Sequence, residues 1–393
     1  MRSSKRLLRF FTVVGLCTVC VLAAAPRLAL AAPTQEDAAG IGQQLADALN
    51  QQNPDRMMQL IDLQALQTRV GDLGLTENES QAFGEGLSKG LRRLTEGSMR
   101  AFAQRKGLAK FLRAGKRAGK PFSTIRIEYG GDEGGFDYVE YYLTPALKVE
   151  DWYSYSRGNR ASSAMRLAAS AMLDKDSMLG TLFGAKFMGR ADVEKFKEFS
   201  RQVSAGDYRK AYRALEALPE SYKQTKDWAM LRANLAVNDE AAYRASLEYL
   251  AKNFGSDNSV QFMLIDHYYY QQRFDQVYQA VTIFEGYIGG EDAATNFLKC
   301  SALIAWKRFD DAAKACQRSM SLEPDFRNGY WGLVTVGLQS GNPTLALSGL
   351  SAYEKAFNAE FDPNELAKLE AYRDLSKTPE FAAWAKKRRI ARK

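Results

Sequence analysis

The chain holds a single histidine, His267, so any serine or cysteine nucleophile working through an imidazole must be built around it. It stands in Asp266-His267-Tyr268-Tyr269-Tyr270, on a helical pattern rather than at a strand end or a glycine elbow. No triad is read there, and one histidine excludes a histidine-rich metal site. The densest set of pocket-forming side chains lies elsewhere: Tyr129, Phe136, Tyr138, Tyr141, Tyr142, Trp152, Tyr153 and Tyr155 put eight aromatics within 27 residues. A pocket among them could use Glu140 or Asp151 as its polar group beside Trp152, and an enclosed carboxylate could abstract a proton. The plainer use of the same rings is sheet core and an interface to the rest of the chain. Asp132, Glu133 and Asp137 lack the ligand spacing of an EF-hand. Gly130, Gly131, Gly134 and Gly135 precede no helix start and no Lys-Ser/Thr, so they form no phosphate loop. No catalytic residue, cofactor or metal is assigned, and the chain is read as a non-enzyme.

These residues need elements to position them. From about 35 to 118 the pattern is helical, with one helix at 36–50 and a cap-and-proline start at Asn53-Pro54. Thr76 with Glu79 fits a capping box ahead of a long helix. Between 121 and 157 the period falls to two. Ile125, Ile127 and Tyr129 alternate with polar residues, a glycine-rich turn comes next, and Phe136–Thr144 and Leu147–Tyr155 complete a three-stranded antiparallel meander. Helices succeeded by sheet argue an α+β domain over 32–160. Residues 161–200 return to helix through a Met- and Gly-rich stretch at Met178–Met188, a connector that merges into the first repeat.

Beyond 200 one feature recurs. Asp207-Tyr208-Arg209-Lys210-Ala211, Asp239-Glu240-Ala241-Ala242, Arg273-Phe274-Asp275-Gln276-Val277 and Arg308-Phe309-Asp310-Asp311-Ala312 are copies, and Gly341 to Ala346 is a looser one. Their last residues are 31, 35, 35 and 34 apart, each copy opening a helix that another amphipathic helix precedes. A helix-pair unit of this period predicts a solenoid. Repeats are expected over 201–360, further helices over 361–385 and a basic, disordered tail over 386–393.

With Leu264, Tyr268, Val277, Val281, Phe284, Ala312, Pro324, Tyr330, Leu333, Ala346 and Leu350 in register, residues 190–357 resemble the tetratricopeptide repeat family. Asn296, Lys299 and Cys300 depart from its pattern. The resemblance implies a mostly α chain and a groove that binds an extended peptide or partner protein. Asp266, Tyr269, Ser301, Trp331 and Thr335 would project into that groove. It also puts Cys300 on the inner face of a first helix and Cys316 on the second helix facing back, where they could bridge. The α+β segment, with its strand Lys148 to Tyr153, resembles more loosely the cone-shaped nuclear-transport-factor-2-like fold.

The charge of the chain is concentrated at its two ends. The chain has 54 Lys+Arg against 46 Asp+Glu, a formal +8. Residues 1–31 carry a basic start, an apolar run from Phe10 to Ala25 and Ala29-Leu30-Ala31, a cleavable export signal. The run is short for a spanning helix, though an uncleaved anchor is the alternative. Removing the five positives of the signal leaves +3, and setting aside six more in Lys386–Lys393 leaves −3. Nucleic acid is therefore not expected as a partner, and the mature chain is expected in the periplasm with no membrane span. Cys300 and Cys316 remain, as one disulfide or as two free thiols, and export favours the bond. Residues 97–127 hold nine Lys/Arg and no acid. That stretch, or the tail, could touch an anionic envelope surface. It could equally be a solvated face balanced by acids elsewhere, or the means by which the two parts dock.

The expectation is a protein-interaction scaffold of the cell envelope, with a small-molecule or lipid binder using the aromatic pocket as the alternative.

Overall fold

Capping and alternation decide most of the elements. The computed structural model describes residues 33–71, 75–130, 135–172, 190–218 and 220–391. The export signal at 1–31, Asp132 and Glu133, the Met178–Met188 stretch and the last two residues of the tail lie outside the described residues.

Thr34 and Asp37 form the capping box of α1 (Gln35–Asn50), and Asn53 caps α2 (Pro54–Leu60) with Pro54 in its first turn. Asp62 caps α3 (Leu63–Val70), and Thr76 with Glu79 makes a second capping box on α4 (Glu77–Gln104). A five-stranded antiparallel sheet comes next, its strands neighbouring one another in chain order. They are β1 (Leu108–Arg117), β2 (Lys120–Glu128), β3 (Phe136–Leu143), β4 (Val149–Ser154) and β5 (Asn159–Arg160).

Two expectations are corrected here. The meander has five strands instead of three, and residues 108–117 are strand β1 instead of helix. Leu108, Phe111 and Leu112 stand at helical spacing because a bulge between Phe111 and Arg113 inserts a residue and breaks the period of two. The acid-free stretch is accordingly a helix end plus a strand pair.

One sheet face carries Ile125, Ile127, Val139, Tyr141 and Leu143 into a core with Leu45, Ala46 and Met57 from α1 and α2. The other carries Arg126, Phe136, Tyr138 and Glu140 toward the helix pairs. Those pairs begin after α5 (Ala161–Met172). They are α6 (Arg190–Ser204) with α7 (Tyr208–Glu216), then, after the short α8 (Glu220–Lys223), α9 (Lys226–Ala236) with α10 (Glu240–Phe254). Next come α11 (Gln261–Tyr270) with α12 (Phe274–Ile288), α13 (Ala293–Ala305) with α14 (Phe309–Leu322), and α15 (Arg327–Gln339) with α16 (Pro343–Phe357). The mostly α chain thus ends in a tetratricopeptide-like helix-pair solenoid. Asp207, Asp239 and Asn342 cap the second helices of their pairs through the side chain, whereas Arg273 and Arg308 do not. Pro33 to Lys393 forms a single compact unit, so sheet and repeats share one body.

The array closes on α17 (Pro363–Lys368) and α18 (Pro379–Ala391). This corrects the disordered tail, because α18 runs through Lys386 and Lys387 to Ala391. Arg388 pairs with Glu354 and lies 3.5 Å over the Trp384 ring, which anchors the turn that the basic composition suggested was free. No described helix is long and apolar enough to cross a membrane.

Within the last pair the helices meet at a glycine. A Cβ on Gly337 would overlap the backbone nitrogen and Cα of Ala346, atoms that cannot rotate away. Gly337→Ala should therefore cost about 1–3 kcal/mol of overpacking. Chemical denaturation checks it, and a change within about 0.5 kcal/mol would mean the helices separate freely.

Candidate functional site

The first helices of successive pairs stack side by side, and a cleft of about 520 Å³ crosses three of them. Phe262 and Asp266 come from α11, Phe297 and Leu298 from α13, and Asn328 from α15. Gly135 and Phe136, at the start of β3, form the opposing wall, joined by Ser156. Phe136 is held edge-on to Phe297 at 6.3 Å and against Phe326 at 5.8 Å, so the wall is fixed by packing. The Tyr243 hydroxyl donates to Asp266 Oδ2 at 2.8 Å, which orients the one carboxylate lining the cleft. An apolar floor with a carboxylate and an amide suits an extended segment that buries one or two side chains and has its backbone N–H groups met.

Of the five groove residues expected from the repeat register, Asp266 lines this cleft. Tyr269 is exposed at the far end of α11, its ring 5.6 Å from Phe274 of the next helix. Ser301 and Thr335 turn their hydroxyls onto the Phe297 and Trp331 carbonyls of their own helices. Trp331 packs tilted against Tyr353 at 4.9 Å and edge-on against Phe361 at 5.6 Å in the C-terminal core. The residues missed, Phe262 and Phe297, lie one turn before Asp266 and Ser301. A shift of one turn toward the helix N-termini along the repeat register leads to them.

The three residues expected to make a pocket in the sheet are not brought together. Glu140 and Asp151 sit on the face turned to the repeats, while Trp152 points to the other side, against Tyr141. Glu140 is buried under a two-pronged bond from Arg117 at 2.7 and 2.8 Å, with the Tyr155 hydroxyl at 3.0 Å. Burial and Glu140 push the Tyr155 phenol well above its ordinary range, so it stays a donor. Asp151 is filled by the N–H and hydroxyl of Ser162 at 3.0 and 2.7 Å and the N–H of Trp152 at 2.9 Å. Asp137, weighed as a calcium ligand, points inward to the Ser154 hydroxyl and the Ser156 N–H, and burial pushes its carboxyl up despite them. His267 is buried at 7% exposure, and that burial lowers its pKa. Among the described residues no three or more His, Cys, Asp or Glu side chains converge as a metal site would.

What fills the sheet face is the repeat array itself. Tyr138 meets Phe284 at 5.0 Å and Phe262 at 5.4 Å, and Tyr155 meets Phe284 at 5.1 Å. Around this apolar patch the acid-free stretch finds its counter-charges. Lys110 reaches Glu323 at 2.7 Å, Arg113 donates to the Glu291 carbonyl at 2.8 Å, and Arg117 to the Tyr287 carbonyl at 2.9 Å. Arg126, with no exposed surface, bonds Asp292 and Glu323 at 2.8 Å each and also Glu128. Burial opposes its charge, and Asp292, Glu128, Tyr138 and Glu323 outweigh that, holding its pKa above the usual value. These cations are spent on docking the sheet to the array. Cys300 and Cys316 form a disulfide between α13 and α14, with Cα atoms 5.4 Å apart.

No family model matches the sequence, and no curated protein matches it. Among solved structures the chain is similar to MamA, at 17% identity with a TM-score of 0.36, over 43% of this chain and 98% of that one. It is also similar to PilW, described as a widely conserved type IV pilus biogenesis factor, at 14% identity with a TM-score of 0.32, over 52% of this chain and 94% of that one.

Proposed function

We propose that the chain is a non-catalytic protein-interaction scaffold, exported to the cell envelope, whose helix-pair groove captures an extended segment of a partner protein. The observation that carries this is the cleft spanning three successive first helices, apolar at Phe262 and Phe297 and polar at Asp266 and Asn328. Stacked helix pairs use this surface for peptides. The small-molecule alternative loses its support from the sheet, whose aromatic face is already covered by the repeats.

The test is capture from envelope extracts by the wild type and by Asp266→Lys combined with Asn328→Lys. Both positions lie at the cleft without anchoring the core, so the variant should fold while losing its partners about tenfold or more. An unchanged set of captured proteins at unchanged yield would refute the groove.

A further inference from the structure

Building on the groove reading, on which it rests, we propose that Asp266 makes the cleft selective for a basic partner segment. The segment carries a lysine or arginine two positions from an apolar residue. Asp266 is the only charged residue among those lining the cleft. Its side chain is exposed there and ionised at neutral pH. The Tyr243 hydroxyl occupies Oδ2 at 2.8 Å, and burial and Asp266 push that phenol well above its ordinary range. The donor is therefore neutral, and the negative charge stays uncompensated.

No cation of the chain supplies the missing charge. Among the described residues Asp266 makes no ion pair, and the cations on neighbouring elements are committed elsewhere. Arg244 pairs with Glu240 and lies 4.3 Å over the Tyr270 ring, while Lys299 pairs with Glu285. Arg327, next to Asn328, lies 5.0 Å over the Phe357 ring, and Lys110 is held by Glu323 and Asp325. The cleft walls push the Asp266 carboxyl up, and the Tyr243 bond is what pulls it down. A carboxylate offers about four acceptor sites, so one hydroxyl leaves room for a charged donor. The spacing fits an extended chain. Phe262 and Asp266 stand four residues apart on α11 and so share a face. Such pairs have Cβ atoms about 5–6 Å apart. Alternate side chains of an extended segment point the same way about 6.6 Å apart. An apolar side chain seated among Phe136, Phe262 and Phe297 therefore places the next side chain on its face at Asp266. The aromatic rings also accept the aliphatic stem of a lysine or arginine, whose charged head then meets the carboxylate. An acidic side chain in that place would meet a like charge, which excludes acidic segments.

The experiment pans random peptides displayed on phage against the full chain as wild type, Asp266→Asn and Asp266→Lys. Wild type should enrich an apolar residue with Lys or Arg two positions away. Asp266→Lys should enrich Asp or Glu in place of the basic residue. The peptide most enriched on wild type is then synthesised with a fluorescent label, together with a version whose basic residue is Gln. Fluorescence anisotropy should show wild type favouring the basic peptide about tenfold, the contribution of one partly desolvated ion pair. Asp266→Asn keeps the size of the side chain and an acceptor for the Tyr243 hydroxyl, so it should fold. It should bind the two peptides alike, at the affinity wild type has for the Gln version. Enriched peptides that lack a basic residue, or a preference that survives in Asp266→Asn, would overturn the proposal. If Asn328→Lys still weakens those peptides, the groove itself stands. If no peptide is enriched on wild type, the groove and its charge selectivity fall together.

Discussion

Arg126→Met should destabilise the folded chain by about 3–5 kcal/mol, the cost of removing one partner from a buried charge network. Arg126 has no exposed surface, and its guanidinium is bonded to Asp292, Glu323 and Glu128 while lying 5.0 Å over the Phe326 ring. Methionine fills much of the volume, so the loss is electrostatic: three carboxylates stay near one another with Lys110 as the remaining cation reaching Glu323. Burial already pushes Glu128 up against the pull of Arg126. Without that pull its folded pKa rises further above the unfolded value. A carboxyl raised in this way binds its proton more tightly when folded, so stability increases as pH falls through the folded pKa. The deficit of Arg126→Met should therefore shrink as the solution is taken from neutral to mildly acidic pH. Adding Glu128→Gln, Glu323→Gln and Asp292→Asn should restore much of the loss at neutral pH, since Asn still caps α13 in place of Asp292. Urea denaturation of the three proteins at two pH values is the measurement. A single variant within about 1 kcal/mol of wild type would mean the network is neutral and the aromatic patch alone holds the sheet on the array.

That network also shows where reading the sequence stops. The helix pairs are legible because the second helices open on a recurring turn with a polar or basic residue, and four of the five place a small residue there, at Ala211, Ala242, Ala312 and Ala346, with Val277 in the remaining one, all local signals with a near-constant period. Arg126 by itself is one cation among nine, and its partners Asp292 and Glu323 lie 166 and 197 residues away. The charge polarity between the acid-free stretch and the rest suggested docking, but nothing in it distinguishes the buried Arg126 from the half-exposed Lys120. Strand β1 was hidden for a different reason, since one bulged residue turns a period of two into a helical spacing. The cleft divides likewise. Asp266 comes from the repeat register, whereas Phe136 reaches the same cleft from a strand 130 residues earlier and could not be placed there without the fold.

Breaking the Cys300–Cys316 bond should cost about 3 kcal/mol, because it closes a loop with a sequence separation of 16 and loops near this length restrict the unfolded chain by about that much. The effect should be local. Both sulfurs are buried between α13 and α14, and Gly332 of α15 rests on them so closely that a Cβ there would overlap the Cys316 sulfur. In a solenoid each unit is stabilised by its neighbours, so loss of this clamp should loosen α13 to α16 first. Hydrogen exchange in Cys300→Ala/Cys316→Ala should rise in those helices while α9 and α10 keep their protection. The same bond joins two readings that otherwise stand apart. If residues 1–31 export the chain, protein recovered from an oxidising compartment should show no free thiol after denaturation without reductant, and protein made in a reducing cytosol should show the thiols of Cys300 and Cys316. Free thiols at both positions in the exported protein would remove both the clamp and its share of the stability of the groove.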